Sequence, residues 1–241
     1  MSWLKDPEGQ ERQKLGLTYR ALRRFNRSLM SVWFRELDIV DNENIPQQGG
    51  IMFVSWHPSG LIDPMLLHAS LPGKLSILAK HTLFDIPIIG RMIQSGGGLP
   101  IYRARDSENI DAAKQKNREM LENAGIEISQ GGRLLLFPEG RTHTESNVSK
   151  AKTGAARIML TALRHSQING LPEPTLIPVG LHYSNSNKFR ERGAVILERG
   201  MNLPDIPPLH SSEHEQTKAD QEWVLSVTQS IESELKRASL S

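Results

Sequence analysis

Apolar residues recurring at three- and four-residue steps, Leu15, Tyr19, Leu22, Phe25, Leu29 and Val32, predict one long amphipathic helix from Glu11 to Phe34. An Asn/Pro/Gly-rich connector, Asp41 to Gly50, then leads into Ile51 to Ser55, four apolar residues and a serine with the length and composition of a buried strand. Pro64 to Leu71 reads as a helix with proline at its first position, and Lys74 to Ala79 as a second strand. Pro87 and Gly90 break the following stretch into short helical pieces. A glycine turn at Gly96 enters a short strand running toward Arg105. Ser107 is the expected N-cap of a helix marked by Ile110, Ala113, Leu121, Ala124 and Ile128, which ends before Gly131.

Arg133 to Phe137 is a short apolar strand, and Pro138-Glu139-Gly140 turns sharply out of it. Ser146 to Thr153 is polar and reads as loop. Gly154 to His165 predicts a helix with Ala155 and Ala156 on its packing side, and Thr175 to Tyr183 and Gly193 to Leu197 two more strands. Three prolines leave Leu203 to Leu209 without regular structure. Ser212 to Leu240 is a polar helix whose docking positions are Trp223, Val227 and Ile231. Strands alternating with helices specify an α/β fold, with a mixed, largely parallel central sheet flanked by helices. A single domain over residues 1–241 is expected, with the amphipathic helix at 11–35, the α/β core at 50–200 and the terminal helix at 212–240.

Charge changes the reading of the first helix. From Arg12 to Arg35 there are seven Lys/Arg and no Asp or Glu, although the whole chain carries only +2. A basic amphipathic helix with Phe and Trp near its end suits the surface of an anionic membrane. The plainer alternative is that the apolar stripe packs on the domain and the arginines are solvated. Cysteine is absent, which excludes disulfides and thiolate metal sites and fits a reducing compartment. Neither a signal-peptide core nor a run of about 18 apolar residues occurs, so membrane contact is expected to be peripheral, at the inner, cytoplasmic face. His57, His81, His143 and His182 lack a ligand spacing, so neither metal nor cofactor is expected. No phosphate-loop motif is present, and an aromatic content of 5% with basic residues gathered on one helix argues against nucleic acid.

Three predicted strand ends carry chemistry. His57 and Asp63 follow the first strand, Arg103 and Arg105 lie on the glycine-led strand, and Glu139-Gly140-Arg141-Thr142 follows the Phe137 strand. Ligands of open α/β sheets gather outside the carboxyl ends of strands. Histidine is suited to move a proton near neutral pH, and a carboxylate can fix its tautomer and stabilise the imidazolium. Guanidinium forks match phosphate oxygens, and glycine lets a ligand approach the backbone. The set suggests deprotonation of a hydroxyl on a phosphate-bearing molecule. Each member also has an ordinary structural reading: a histidine satisfied locally, arginines in surface ion pairs.

Four blocks of the sequence resemble those of the glycerolipid acyltransferases, the superfamily of glycerol-3-phosphate and 1-acyl-glycerol-3-phosphate acyltransferases. The blocks are His57-Pro-Ser-Gly-Leu-Ile-Asp63-Pro64, Gly98-Leu-Pro-Ile-Tyr-Arg103, Phe137-Pro-Glu-Gly-Arg-Thr142 with Lys152-Thr-Gly-Ala-Ala156 downstream, and Leu176-Ile-Pro178-Val-Gly180. The commonest family spacing leaves four residues between histidine and aspartate, whereas five intervene here. A five-residue variant occurs in a branch resembling the fungal glycerol-3-phosphate acyltransferases, and Asn187-Lys-Phe-Arg-Glu-Arg192 is similar to that branch.

The resemblance implies transfer of an acyl group from acyl-CoA or acyl carrier protein, as co-substrate, to a glycerol-phosphate or lysophospholipid hydroxyl. It assigns His57 as base, Asp63 as its orienter, and Arg103, Arg105, Glu139, Gly140, Arg141, Thr142 and Lys152 to the acceptor. The transition-state oxyanion would be met by Lys80 or by a backbone amide. Two other readings stay open on the residues: a thioesterase, with water as the nucleophile, and a non-catalytic membrane-associated anion-binding protein.

Overall fold

The computed structural model describes residues 16–87, 89–102, 109–140, 149–185, 188–209 and 211–240. Its elements, in chain order, are α1 (Leu17–Trp33), β1 (Glu36–Val40), β2 (Ile51–Ser55), α2 (Ile62–Ser70), β3 (Leu75–Lys80), α3 (Ile89–Ser95), β4 (Gly98–Ile101), α4 (Ile110–Ser129), β5 (Arg133–Leu136), α5 (Gly154–Asn169), β6 (Thr175–Tyr183), β7 (Arg192–Leu197) and α6 (Glu213–Ala238). The strands form one sheet in the order β1-β7-β6-β2-β5-β3-β4. Strands β6, β2, β5, β3 and β4 run parallel. The pair β7 and β1, parallel to each other, runs against them at one edge. The expected mixed, largely parallel sheet is therefore observed.

Every residue of β2 is buried, because helices cover both faces of the sheet. Ile51 and Phe53 pack with Leu66, Leu67, Met30 and Phe34 of the α1/α2 layer, and Met52 and Val54 with the α4/α5/α6 layer. Gly50, at the entrance to β2, is needed for the fit: a Cβ there would stand 1.7 Å from the Ile128 carbonyl oxygen at the end of α4. Trp223, Val227 and Ile231 are buried and dock α6 as expected.

Several boundaries differ from the sequence reading. β1 was not anticipated: its five residues alternate around Leu37 and Ile39, too short a pattern to separate from loop. Helix α2 starts at Ile62, so Pro64 occupies its third rather than its first position. Proline fits there because the first-turn amides have no intrahelical acceptor. Asn109 caps α4, its side-chain oxygen accepting from the Ala112 amide at 3.0 Å, whereas Ser107 lies outside the described residues. Helix α5 runs on to Asn169 and ends at Gly170 in the left-handed conformation.

The largest correction concerns α1. Tyr19, one of the six positions read as a single apolar face, is buried, but Phe25 (53% exposed) and Val32 (57%) face solvent with Leu29. The face against the body is instead Tyr19, Arg23, Asn26 and Met30. It is held by polar contacts to the end of α2. Arg23 donates to the carbonyls of Leu71 and Gly73, Arg27 to Ala69 at 2.9 Å, and Asn26 bonds His68 at 3.0 Å. The Tyr19 hydroxyl donates to Gly73 and accepts from the Leu75 amide. These guanidiniums satisfy free carbonyls at a helix C-terminus, where positive charge is also favoured by the helix dipole. The arginines on that face are thus structural, and the apolar residues on the other are exposed.

Candidate active site

Parallel pairing brings the ends of β6, β2, β5, β3 and β4 to one edge of the sheet, at Tyr183, Ser55, Leu136, Lys80 and Ile101. The chemistry-bearing blocks follow these ends. Beyond Ser55 the chain turns through Gly60, which has a φ of 59° and so needs no Cβ, and winds into α2. The turn places His57 Nδ1 2.8 Å from Asp63 Oδ2, the first-turn carboxylate of α2. Five intervening residues therefore close the contact.

Asp63 is fully buried and accepts from three donors: His57 Nδ1–H, the Ser59 amide at 2.7 Å, and the Tyr183 hydroxyl at 2.8 Å. An acceptor-only carboxylate requires the proton on Nδ1, which leaves Nε2 as the nitrogen able to take a proton. The imidazole, 16% exposed, lies flat against Phe137, with ring centroids 4.2 Å apart. The first residue of the Phe-Pro-Glu-Gly block thus fixes the plane of the proposed base. Burial, then the charge and hydrogen bond of Asp63, push the Tyr183 hydroxyl well above its ordinary value, so it stays a donor.

On the neighbouring strand end, Glu139 is buried and Gly140 has a φ of 66°. A Cβ on Gly140 would meet Lys152 Nζ at 2.6 Å, so the lysine side chain lies across the glycine. The Lys152 amide also donates to the Pro138 carbonyl at 2.8 Å, tying the downstream block back to the turn. Lys80 closes β3 on the same edge. Arg103, Arg105, Arg141 and Thr142 lie outside the described residues, so the expected guanidinium cluster enters only through its sequence position.

A cleft of about 320 Å³ runs along edge strand β4, lined by Leu99, Pro100, Tyr102, Met120 and Ala124 among others. It includes neither His57 nor Asp63. The site of interest is the strand-end edge rather than this hollow, because the edge gathers an imidazole, its carboxylate partner and the positive-φ Gly140.

A model described as Acyltransferase matches residues 36–182, more than half of the chain. The chain belongs to the acyltransferase family. Among its relatives is the chloroplastic 1-acyl-sn-glycerol-3-phosphate acyltransferase BAT2 of Brassica napus, 27% identical over 144 residues, covering 56% of this chain and 39% of that protein. Another is glycerol-3-phosphate O-acyltransferase 2 of Saccharomyces cerevisiae, 32% identical over 93 residues, covering 37% of this chain and 11% of that protein. The chain thus spans well under half the length of these curated relatives.

The crystal structure of the 1-acyl-sn-glycerophosphate acyltransferase PlsC from Thermotoga maritima superposes with a TM-score of 0.55. It shares 20% identity and covers 88% of this chain and 79% of its own, which establishes a shared fold. Family membership agrees with the four blocks read from the sequence.

Two contributors to the site escaped the sequence reading. From the sequence Tyr183 reads only as a strand residue, and Phe137 only as part of a motif. The one signal for Tyr183 is a phenol at the carboxyl end of a largely apolar strand, Thr175–Tyr183. Among the described residues, no group of three or more His, Asp or Glu stands together as a metal site.

Proposed function

We propose that the protein transfers an acyl group from a thioester, acyl-CoA or acyl carrier protein, to a hydroxyl of a glycerol-phosphate or lysophospholipid acceptor. The observation that carries this reading is the His57–Asp63 contact at the carboxyl edge of the sheet, in a chain of this family. His57 Nε2 takes the hydroxyl proton as the acceptor oxygen attacks the thioester carbonyl. The tetrahedral intermediate collapses with breakage of the C–S bond, and the imidazolium returns the proton to the departing thiolate. Asp63 holds Nδ1 and stabilises the transient positive charge. A general base of this kind contributes about 10²–10⁴-fold.

Lys80 or a backbone amide meets the oxyanion; loss of one such donor costs about 10²–10³-fold. Arg103, Arg105, Arg141 and Lys152 bind the acceptor phosphate with Thr142, and Glu139 orients them while Gly140 makes room for the Lys152 side chain. The gain there is positional, since a phosphate clamp fixes the hydroxyl beside His57. Names of the relatives, which act on 1-acyl-glycerol-3-phosphate and glycerol 3-phosphate, support an acceptor of this class.

The same reading includes peripheral contact with an anionic membrane surface. Among the described residues no helix is long and apolar enough to cross a membrane. The outward face of α1 nevertheless presents Leu17, Phe25, Leu29 and Val32, with Arg20 and Arg24 exposed beside them. Apolar residues flanked by cations suit an anionic bilayer, where the proposed product partitions. Replacing Phe25, Leu29 and Val32 together by serine abolishes flotation with anionic liposomes at low salt; unchanged flotation removes this part of the proposal.

The decisive assay offers labelled acyl-CoA and acyl carrier protein with glycerol 3-phosphate, lysophosphatidate, other lysolipids or no acceptor, and identifies products by chromatography. Transfer to a phosphate-bearing acceptor is expected. Release of free acid unaffected by acceptor identifies a thioesterase, and no turnover with any donor refutes the catalytic reading.

A further inference from the structure

The donor set around Asp63 holds one member that is distant in sequence. Asp63 Oδ2 is shared by His57 Nδ1 and the Ser59 amide, both within six residues of it. Oδ1 is held by Tyr183, which arrives on β6, the strand beside β2, 120 residues away in sequence. We propose that the Tyr183 hydroxyl is a positioning residue for the acyl-transfer centre, fixing the rotation of the Asp63 carboxylate so that its other oxygen stays aligned on His57. This inference rests on the reading of His57 as the base.

The geometry argues for a dedicated role. A carboxylate bonded at one oxygen alone can turn about its last torsion, which is broad and offers no well of its own. Donors on both oxygens remove that freedom. The phenol ring is itself held: it stacks on Phe34, which follows the last residue of α1, at a centroid distance of 5.7 Å and an interplanar angle of 11°. Burial and the neighbouring carboxylate keep the phenol protonated, so the donor persists through the working pH range. The hydroxyl bonds Asp63, and it acts through that carboxylate.

The test uses Tyr183→Phe, which preserves the stacked ring and removes only the oxygen. Turnover, kcat, is expected to fall about tenfold, the scale of one hydrogen bond to a charged group. KM for donor and acceptor stays within about twofold, because the hydroxyl lies behind the carboxylate. In an Asp63→Ala background the same substitution changes kcat less than about twofold, since no side chain is left to align. Unchanged kcat in Tyr183→Phe overturns the proposal. So does a loss that is equal in both backgrounds or that falls in KM, either of which marks a role in packing or binding. His57→Ala serves as the reference: if it retains turnover, the base itself is misassigned, a failure distinct from that of Tyr183.

Discussion

Replacing Asp63 by asparagine removes a charge while leaving the hydrogen-bond geometry almost intact. The amide oxygen takes the place of Oδ2 and accepts from His57 Nδ1 and the Ser59 amide, which contact it at 2.8 and 2.7 Å. The amide NH₂ then faces the Tyr183 oxygen, which can turn its hydroxyl away and accept. What is lost is attraction between the carboxylate and the imidazolium that forms as the acceptor hydroxyl is deprotonated. With charge centres about 4 Å apart and an effective dielectric near 20, that attraction is about 4 kcal/mol.

Each 1.4 kcal/mol is about a factor of ten, so kcat falls about 10³-fold. KM stays near its original value, because Asp63 is fully buried behind His57. Steady-state kinetics with the best donor and acceptor give both constants, and a thermal melt within a few degrees of the original shows that the fold survives. A variant that retains more than a tenth of the original kcat would refute the charge-stabilisation argument.

Two other outcomes follow from buried contacts. His68 is held at about 4, below its ordinary 6.5, first by burial and then by Arg23 and Arg27. The unfolded chain therefore takes up this proton at higher pH than the folded one. The contribution is whole above about pH 6.5, is lost as the pH falls toward 4, and totals about 3 kcal/mol. Urea titrations at pH 7 and 5 should show His68→Gln, which keeps an acceptor for Asn26, losing less stability on acidification than the original protein; parallel losses contradict the assignment. Gly50→Ala puts a methyl group into the Ile128 carbonyl and should cost more than about 4 kcal/mol, read as loss of soluble protein or of a cooperative melt. An unchanged melting temperature contradicts the close packing at that turn.

What was legible in the sequence follows the range of the interactions. The strand Ile51–Ser55 was bounded to the residue, because an apolar run between a Gly-Gly pair and a His-Pro turn admits little else. The His57–Asp63 contact was also accessible, since both partners lie on one turn. Tyr183 was not, because nothing near residue 183 records a carboxylate 120 positions earlier. The inner face of α1 failed for a similar reason. Its arginines answer free carbonyls at Ala69, Leu71 and Gly73, acceptors created only when α2 ends beside it. Periodicity found the helix, though it starts at Leu17 and not at Glu11 (residues 11–15 lie outside the described residues), and it assigned the apolar stripe one role, whereas the fold buries Tyr19 and turns Phe25, Leu29 and Val32 outward.

The central claim is that the imidazole at position 57 moves the acceptor's proton. The most direct measurement is single-turnover acyl transfer by His57→Ala, at saturating thioester and acceptor, beside the unaltered protein. The account predicts loss of at least about 10²-fold in the transfer step with the fold intact. Transfer at near the original rate would contradict it.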